Sequence, residues 1–408
     1  MKSFVIGAGV MGLNIALELQ ARGYEVTLIE ARQGGFDGAS YGNAGHIATE
    51  QVEPLASWAT ITSAPQRLFP RGALDLPLSG LGAWLPFSLR MMQAAAPQRF
   101  ARGKATLSAL LAKAMPAWRR RVADLGAPDL LREDGHSIVW ETPQSAEIGL
   151  ARWIRADTAG AVVRPLTADE LAHLQTLTTR QFFGGVRFDG TGQIADNARL
   201  LNAMKASFIA RGGVWLAESV VSLHDAEGGA GIRLSGGENL RADTVIVSAG
   251  AGSKPLLQAL GHTVPLIAER GYHIQSAKHG WPCGLPPVVF EDRSLIVTGF
   301  ESGLRAASFV EFNRPDAPPD PRKWAKLRQH VRELGLPFGE ADAEWMGARP
   351  TLPDYLPAIG RSTRAKHVYY AFGHQHLGLT LGAVTGDLVA DMVATDAAPE
   401  NFNIERFR

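Results

Sequence analysis

The stretch "VIGAGVMG", residues 5–12, follows directly on an apolar run at the start of the chain. Its glycines, Gly7, Gly9 and Gly12, lead into a segment with apolar residues at helical spacing, which stops at Gly23. "YEVTLIE" then predicts a second buried strand that ends at Glu30. The order strand, glycine turn, helix, strand and acid predicts a Rossmann-like unit that binds a dinucleotide.

Each residue of this unit has a physical task. Gly7 permits the tight turn, Gly9 lets the backbone approach a pyrophosphate, and Gly12 lets the helix pack closely on the strand. The helix start presents free N–H groups and a partial positive charge to the phosphates. Glu30 can accept hydrogen bonds from both ribose hydroxyls and would repel a 2′-phosphate, which argues against NADP. This unit alone leaves FAD and NAD open.

The next segment favours FAD. Residues 31–47, "ARQGGFDGASYGNAGHI", form a glycine-dense polar loop where a plain NAD domain would continue into a crossover helix. Such a loop can lay backbone N–H groups along a second phosphate and toward a ring, as an extended FAD requires. Residues 200–223 and 240–261 also combine a strand, a glycine turn and a helix. The cofactor domain is therefore expected to be assembled from distant segments.

The motif "GHQHLGLTLGAVTG" near the C-terminus repeats the same design. A strand over 367–372 enters a turn at Gly373, and a helix is predicted over 377–393. Gly378 and Gly382 are expected to let this helix lie close against the N-terminal unit. A zinc site at His374 and His376 is disfavoured because no cluster of further ligands is apparent. These histidines are expected either to hydrogen-bond the turn backbone or to face the substrate.

Composition bounds the remaining classes of protein. A chain of 408 residues with a net charge of +1 predicts two domains and no nucleic-acid binding. The one basic run, "WRRR" at 118–121, is expected on a solvated helix face. The single cysteine, Cys283, excludes an intrachain disulfide and a multi-cysteine metal site. No leader pattern and no membrane-spanning apolar run are apparent, so a cytoplasmic protein is expected.

Several longer motifs carry a resemblance to a known family. They are "SYGNAGHI" (40–47), "VIVSAGAGS" (245–253), "ERGYHI" (269–274) and "WMGARPTLPDYLPAIG" (345–360), together with the two glycine motifs above. Across essentially the whole chain, the sequence resembles the FAD-dependent D-amino-acid oxidase superfamily. It is most similar to the bacterial D-amino-acid dehydrogenase branch, which includes D-proline and D-hydroxyproline dehydrogenases.

The resemblance implies an α/β fold with two domains. The Rossmann-like FAD-binding domain is expected to comprise residues 1–75, 166–260 and 341–408. An α+β substrate domain with a mainly antiparallel sheet is expected at 76–165 and 261–340.

The resemblance also implies a cofactor site. FAD is expected to be non-covalent, because the only cysteine lies far from the C-terminal position at which some relatives attach flavin. The start of the C-terminal helix is expected to point at the flavin pyrimidine and stabilise its negative charge on reduction. The residues expected to hold FAD are Gly7, Gly9, Gly12, Glu30, Ala31, Arg32, Ser40, Asn43, Ala44, Gly45, Val220, Gly250, Gly373, Gly378, Leu379 and Thr380.

The implied reaction is oxidation of a D-amino or cyclic imino acid, with D-proline or 4-hydroxy-D-proline favoured, by hydride transfer from Cα to flavin N5. The substrate carboxylate requires an arginine, whose planar fork matches two oxygens. Arg349 is the first choice by resemblance to the family, and Arg305 is a further alternative. The expected catalytic residues are Arg349, Tyr272, Arg270, His46 and His374.

The apolar segment 76–95 has Trp84, Phe87, Met91 and Met92 at roughly helical spacing. It is expected to pack in the core or to cap the substrate pocket. The alternative is peripheral contact with the inner face of the membrane, where a quinone would collect electrons.

Three rival functions stay open at this point. One is a glycine- or sarcosine-type oxidase that uses oxygen. Another is the flavin subunit of a larger complex, with partner subunits, and the weakest is an NAD dehydrogenase. The expected small-molecule partners are an amino or imino acid and a non-oxygen electron acceptor.

Overall fold

The computed structural model describes residues 1–32 and 36–408, so residues 33–35 of the predicted flavin loop lie outside the described part. The strands in the described part are β1 Lys2–Ile6, β2 Glu25–Ile29, β3 His46–Ile47, β4 Leu74–Asp75, β5 Leu131–Arg132, β6 His136–Trp140, β7 Val162–Pro165, β8 Gly184–Asp189, β9 Gly192–Ile194, β10 Val214–Leu216, β11 Val220–Ala226, β12 Gly229–Leu234, β13 Asn239–Ala242, β14 Thr244–Val247, β15 Ile267–Ser276, β16 Val288–Phe290, β17 Leu295–Phe300, β18 Gly303–Asn313, β19 Ala343–Thr351, β20 Ala358–Arg361 and β21 Val368–Phe372. The α-helices are α1 Val10–Ala21, α2 Trp58–Ser63, α3 Leu81–Ala94, α4 Pro97–Leu111, α5 Ala114–Asp124, α6 Pro143–Ile154, α7 Ala168–Gln175, α8 Asn197–Ala210, α9 Ser253–Ala259, α10 Pro321–Leu334 and α11 Gly378–Thr395.

A six-stranded sheet forms the first layer, in the order β10-β2-β1-β14-β21-β20. All neighbouring pairs are parallel except β20 with β21. Strands β1, β14 and β21 are almost wholly buried, as continuous apolar runs in a parallel sheet covered on both faces should be. The distant segments predicted for the cofactor domain thus meet in one Rossmann-like sheet, and the predicted α/β fold class is confirmed.

A larger mixed sheet forms the second layer, in the order β19-β15-β18-β17-β16-β6-β8-β7, with β4 beside β18. Its pairs are antiparallel apart from β16 with β6 and β18 with β4. The predicted boundaries placed residues 184–189 and 343–351 in the flavin-binding domain. Both are strands of this second sheet, β8 and β19. The prediction differed because the apolar pattern of a strand does not show which sheet the strand joins.

Helix α11 packs closely along α1 through two glycines. A Cβ on Gly382 would lie 3.0 Å from Cγ2 of Val10, and one on Gly386 would lie 3.0 Å from backbone atoms of Asn14. A Cβ on Gly378 would have ordinary contacts only, the nearest at 3.8 Å on His374. The close approach was therefore assigned correctly to Gly382 but wrongly to Gly378, which lies at the helix start and lines a cavity instead.

Two predictions about polarity need correction. The "WRRR" segment is not simply a solvated face, because Trp118 and Arg121 are buried. The Trp118 indole donates to the carbonyl of Leu379 at 3.0 Å, and Arg121 donates to Oδ1 of Asn14 at 2.8 Å. The helical stretch Gln375–Thr395 is also long and apolar enough to cross a membrane. However, 72% of its apolar 18-residue core is buried in the protein, as expected for a core helix.

Candidate active site

A cavity of about 1810 Å³ lies between the two large sheets, beyond the C-terminal ends of β1 and β14. This exceeds the roughly 300–1,000 Å³ of most small-molecule sites and leaves room for a dinucleotide with a substrate. Most of the predicted site residues line it, namely Gly7, Gly9, Glu30, Ala31, Arg32, Ser40, Asn43, Ala44, His46, Val220, Gly250, Tyr272, Arg349, His374, Gly378 and Leu379. The predicted residues outside its lining are Gly12, Gly45, Arg270, Gly373 and Thr380.

The glycine turn is a tight cradle that excludes side chains. Gly7 has φ +97°, and a Cβ there would lie 2.6 Å from Cα of Ala249. A Cβ on Gly12 would lie 1.8 Å from the carbonyl oxygen of Gly7, and one on Gly9 would lie 3.1 Å from Oγ of Ser40. These positions therefore hold the backbone close around the start of α1, where free N–H groups can receive a pyrophosphate.

Two polar side chains fix the rim of this cradle. Glu30 accepts hydrogen bonds from the backbone N–H of Ala8 at 2.7 Å and of Arg32 at 3.0 Å. Oγ of Ser40 accepts from the N–H of Val10 at 3.0 Å. Glu30 thus stands at the end of β2 beside the glycine turn, in the position that the sequence predicted for a ribose ligand.

The loop at 40–45 is held from beneath by an arginine that was considered as a substrate ligand. Nη1 of Arg305 donates to the carbonyls of Asn43 at 2.5 Å and Tyr41 at 3.1 Å. Asn197 donates to the same two carbonyls. Burial lowers the pKa of Arg305 to about 10, its Nε donates to Oε1 of Gln275 at 2.9 Å, and the residue does not line the cavity. The geometry therefore does not favour Arg305 as a carboxylate anchor.

Three predicted flavin residues outside the cavity lining shape its walls through packing. Gly45 has φ +77°, and a Cβ there would clash with the ring of Phe300 at 2.5 Å. Gly373 has φ +80°, and a Cβ there would clash with Cδ1 of Leu352 at 2.6 Å. Oγ1 of Thr380 accepts the N–H of Ala48 at 2.9 Å, which ties α11 to the loop.

Arg349 lies on β19 directly opposite Glu269 of β15. Its Nη1 donates to the Glu269 carboxylate at 3.2 Å and to the carbonyl of Phe309 at 3.1 Å. Among the described residues, its Nη2 and Nε have no hydrogen-bond partner, although the side chain is only 26% exposed. Arg349 also lines the cavity, so these two nitrogens remain available to a ligand there.

Glu269 is itself wholly buried and well coordinated. Its carboxylate also accepts hydrogen bonds from Oγ1 of Thr351 at 3.0 Å and from the Tyr355 hydroxyl at 3.2 Å. These bonds fix the carboxylate that holds one side of the Arg349 fork. Burial and the neighbouring Glu269 carboxylate raise the pKa of Tyr355, so this hydroxyl stays protonated as a donor.

Arg270 and Tyr272 do not join Arg349 as predicted, although Tyr272 lines the cavity. Arg270 is wholly buried, forms an ion pair with Glu311 at 3.2 Å and donates to the carbonyl of Pro318. The Tyr272 hydroxyl donates to Glu311 at 2.6 Å, and burial raises its pKa. Neighbouring residues of a strand point to opposite faces of the sheet, so Arg270 faces away from Glu269 and Arg349. The expectation that they meet one substrate carboxylate is not supported by this geometry.

The predicted histidines have separate environments. Nε2 of His374 contacts Oγ1 of Thr385 at 3.1 Å, so it bonds a side chain of α11 rather than the turn backbone. Nε2 of His46 lies 3.1 Å from Nδ1 of His136. Burial lowers the pKa of both His374 and His46 to about 3. His376 lies near Glu269 and Arg349, and burial lowers its pKa to about 4.

Three residues of this region were not predicted from the sequence. Glu269 stands in the quoted "ERGYHI", and strand alternation could have placed it on the opposite face from Arg270. Tyr355 also lies inside a quoted motif. Glu50 follows His46 by four residues and lines the same cavity, but its neighbour His136 is 90 positions from His46 and gave no local signal.

The glycine cradle, the acid at the end of β2 and the size of the cavity define a dinucleotide-binding protein with room for a substrate. A family profile described as "DAO: FAD dependent oxidoreductase" matches residues 3–392. The chain therefore belongs to this family of FAD-dependent oxidoreductases, which confirms the resemblance, the cofactor and the enzyme class.

Two curated relatives and one solved structure extend the comparison. A D-amino-acid oxidase of Bradyrhizobium diazoefficiens is 30% identical, over 96% of this chain and 94% of its own length. D-amino acid dehydrogenase 2 of Pseudomonas aeruginosa is also 30% identical, over 95% of this chain and 94% of its own. The structure of an iminodiacetate oxidase from Chelativorans sp. BNC1 has a TM-score of 0.73 at 20% identity and covers 98% of both chains.

The described residues fit FAD. The cradle admits no side chain at Gly7 or Gly12, and the loop at 40–45 is held open by Arg305. Cys283 is exposed and does not line the cavity, in keeping with the non-covalent binding that the sequence predicted.

Proposed function

We propose that the chain dehydrogenates D-amino or cyclic imino acids, with D-proline and 4-hydroxy-D-proline as the favoured substrates. The substrate would lose a hydride from Cα and a proton from nitrogen to give the imine. FAD, when bound, supplies the hydride acceptor. The names of the two curated relatives at 30% identity support a D-amino acid as the substrate.

The observation that carries the proposal is the half-satisfied fork of Arg349. Its Nη1 is fixed by Glu269 and Phe309, while Nη2 and Nε have no hydrogen-bond partner among the described residues, and Arg349 lines the same cavity as the glycine cradle. A carboxylate that accepted these two donors would be held in one orientation. Such a contact would fix the position of Cα relative to the cavity wall, which is the main contribution a protein can make to hydride transfer.

The apolar surroundings of Arg349 support a small substrate without a charged side chain. Tyr355, which shares Glu269 with Arg349, packs in a cluster with Phe87, Met91 and Phe312. Trp84 packs against this cluster and lines the cavity. A pyrrolidine ring would be buried by such a wall, whereas a charged side chain would lose its hydration.

The test is anaerobic bleaching of the flavin band by a panel of D- and L-amino acids, with the proline and hydroxyproline isomers, glycine and sarcosine. The proposal expects rapid bleaching by D-proline or cis-4-hydroxy-D-proline. Bleaching by glycine or sarcosine alone would contradict it in favour of a glycine-type oxidase. A flavin that stays oxidised with every compound would contradict the assignment of Arg349.

Oxygen as the acceptor is the second candidate function, because one curated relative is named an oxidase. Hydrogen peroxide formed during aerobic turnover without dye would favour it. Turnover that requires an added quinone analogue and leaves peroxide at background would favour the dehydrogenase.

We propose a membrane quinone as the acceptor, reached through helix α3. One face of α3 lines the cavity with Trp84 and Met91. The other face exposes an apolar row at helical spacing, namely Leu81, Leu85 and Leu89, and the exposed Met92 lines the cavity. An exposed apolar row on a helix that also borders the active site is suited to the interfacial layer of a bilayer.

The charges around α3 favour an anionic lipid surface as the occupant of this face. Between positions 54 and 113 the only acid is Asp75, which is paired with the buried Lys323. The same stretch has seven basic residues, and most are exposed, namely Arg67, Arg71, Arg90, Arg99, Arg102, Lys104 and Lys113. Each exposed base near an anionic surface contributes on the order of 1 kcal/mol to binding.

Vesicle flotation tests the membrane contact. The FAD-loaded enzyme should float with vesicles that are about one-third phosphatidylglycerol and less with neutral ones, and salt should release it. Leu85→Glu with Leu89→Glu should abolish flotation and leave dye-linked turnover unchanged. Ile148→Glu, an exposed apolar residue of α6, is the matched control. If the enzyme did not float with anionic vesicles, the membrane contact would be overturned, and a partner subunit would be the remaining candidate to cover the exposed face of α3.

A further inference from the structure

Three side chains that can bind metal ions meet beside the flavin loop. His46 is the first residue of β3, Glu50 follows four positions later, and His136 begins β6. Their ligand atoms all lie within 4.8 Å of one another, and all three residues are buried. Strand β9, which pairs with β3, and strand β8, which pairs with β6, bring these distant positions together.

The distances from the Glu50 carboxylate to the two imidazoles are those of ligands around an ion, whereas Nε2 of His46 and Nδ1 of His136 lie within hydrogen-bond distance, at 3.1 Å. Nε2 of His46 lies 3.8 Å from Oε2 of Glu50, and Nε2 of His136 lies 3.8 Å from Oε1. Both distances are too long for a hydrogen bond. Two ligand atoms that are each about 2 Å from one zinc ion lie roughly 3–4 Å apart.

The triad has an unfilled bonding requirement. Oε2 of Glu50 is buried and has no hydrogen-bond partner among the described residues. Such an orphaned carboxylate oxygen is costly, and most buried polar groups avoid it. A divalent cation would satisfy this oxygen, and Nε2 of His46 would exchange its contact with Nδ1 of His136 for the metal.

The surroundings hold His136 in place as a ligand. Its Nδ1 contacts Oγ1 of Thr191 at 2.9 Å, and its ring stacks on Phe188 with the centroids 4.3 Å apart. A partner on one ring nitrogen fixes the tautomer and leaves the other nitrogen available to a metal. Here the other nitrogen, Nε2, is the one that faces Glu50.

We propose that His46, Glu50 and His136 form a binding site for a divalent transition-metal ion, and that this ion is zinc. Two histidines and one carboxylate are a known zinc ligand set that leaves a fourth position open. His46 and Glu50 line the cavity, whereas His136 lies behind them, so the open position faces the cavity. This site was not expected from the sequence, which predicted no metal.

The experiment is equilibrium dialysis of the FAD-loaded, chelator-stripped enzyme against zinc chloride, with the metal counted by mass spectrometry. Wild-type enzyme should bind about one zinc ion per chain at micromolar free zinc. Glu50→Gln and His136→Asn should each weaken binding at least about ten-fold. His173→Asn, an exposed histidine of α7, should bind as the wild type does.

Two controls keep the result interpretable. The flavin spectrum of each variant reports folding, and Glu50→Gln preserves the shape of the side chain. Zinc should also raise the melting temperature of the wild type and of His173→Asn but not that of Glu50→Gln. Wild-type enzyme that takes up no zinc, or Glu50→Gln that binds it as tightly as wild type, would overturn the site. Neither readout depends on which amino acid the enzyme oxidises.

Discussion

The two faces of strand β15 carry ion clusters of similar composition, but only one of them has an arginine that lines the cavity. On one face, Arg270 is enclosed by Glu311, the Tyr272 hydroxyl and a backbone carbonyl. On the other face, Glu269 accepts a hydrogen bond from Nη1 of Arg349. Nη2 and Nε of this arginine have no partner among the described residues, and the residue lines the cavity. We refer to these as the Glu311 cluster and the Glu269 cluster.

The difference separates a structural arginine from a binding one. In the Glu311 cluster, Lys323 also lies 2.9 Å from Glu311, so two buried cations share a carboxylate and none faces the cavity. In the Glu269 cluster, the arginine is anchored but keeps free donors. Arg349 is anchored and lines the cavity, so it is prepared for a second carboxylate, whereas Arg270 is wholly buried in an ion pair with Glu311, does not line the cavity and holds the fold together.

The largest expected effect is on folding, from the Glu311 cluster. Glu311→Gln would leave Arg270 buried without a carboxylate, although Lys323 would keep Asp75 and Asp320, and this should cost about 3–5 kcal/mol. The measurement is the denaturant midpoint of the FAD-free protein. Glu340→Gln, at an exposed position, is the control and should change the stability by less than about 0.5 kcal/mol. A loss below about 1 kcal/mol for Glu311→Gln would mean that the cluster is not structural.

The next effect is on substrate binding, from the Glu269 cluster. Arg349→Lys keeps a positive charge for Glu269 but loses the planar fork. Two lost charge-assisted hydrogen bonds should raise KM for the amino acid about 30- to 1,000-fold, with the midpoint of unfolding nearly unchanged. Steady-state kinetics with an artificial acceptor provide the measurement. A KM within a few-fold of wild type would show that another group holds the carboxylate.

A smaller effect distinguishes Tyr272 from a substrate ligand. Tyr272→Phe removes the hydroxyl that donates to Glu311 and accepts the N–H of Asp320. Stability should fall by about 1–2 kcal/mol, while KM should stay within about two-fold of wild type. If KM rose strongly at unchanged stability, Tyr272 would belong to the binding face and the division between the two clusters would be wrong.

The smallest effect is the acid response of the Glu311 cluster. Despite burial, hydrogen bonds from Tyr272, Asn313 and Lys323 hold the pKa of Glu311 below its usual value. A carboxylate with a depressed pKa adds stability above its unfolded pKa and loses it as the pH falls through the folded value. The stability difference between wild type and Glu311→Gln should therefore shrink below about pH 4.5. A difference that stays constant from pH 7 to pH 3 would contradict this role.

Most residues predicted for the cofactor half of the site lie at the cavity, because the determinants of their position are local. Gly7, Gly9 and Glu30 lie within one βαβ unit, where spacing along the chain dictates position in space. The family motifs added the loop at 40–45 and the start of α11. Gly378 was misjudged because a glycine at a helix start and one at a helix crossing look alike in sequence.

The substrate half was harder to predict, because its residues meet across strands. "ERGYHI" shows that Glu269 and Arg270 point to opposite faces, but not which face meets Arg349 of β19. Arg305 belongs to the flavin loop only through contacts of its guanidinium with residues more than 260 positions earlier. His136 likewise joins His46 only through the pairing of their strands with neighbours. Such contacts leave no periodicity in the sequence.

The most direct test of the central claim is binding of pyrrole-2-carboxylate, a planar analogue of proline, followed by the shift of the oxidised flavin band. Arg349→Lys should raise its Kd about 30-fold or more, and Tyr272→Phe should leave it within about two-fold. Pyrrole, which lacks the carboxylate, should bind both variants and the wild type equally weakly. The reverse pattern, in which Tyr272→Phe weakens binding and Arg349→Lys does not, would contradict the assignment of the two faces of β15.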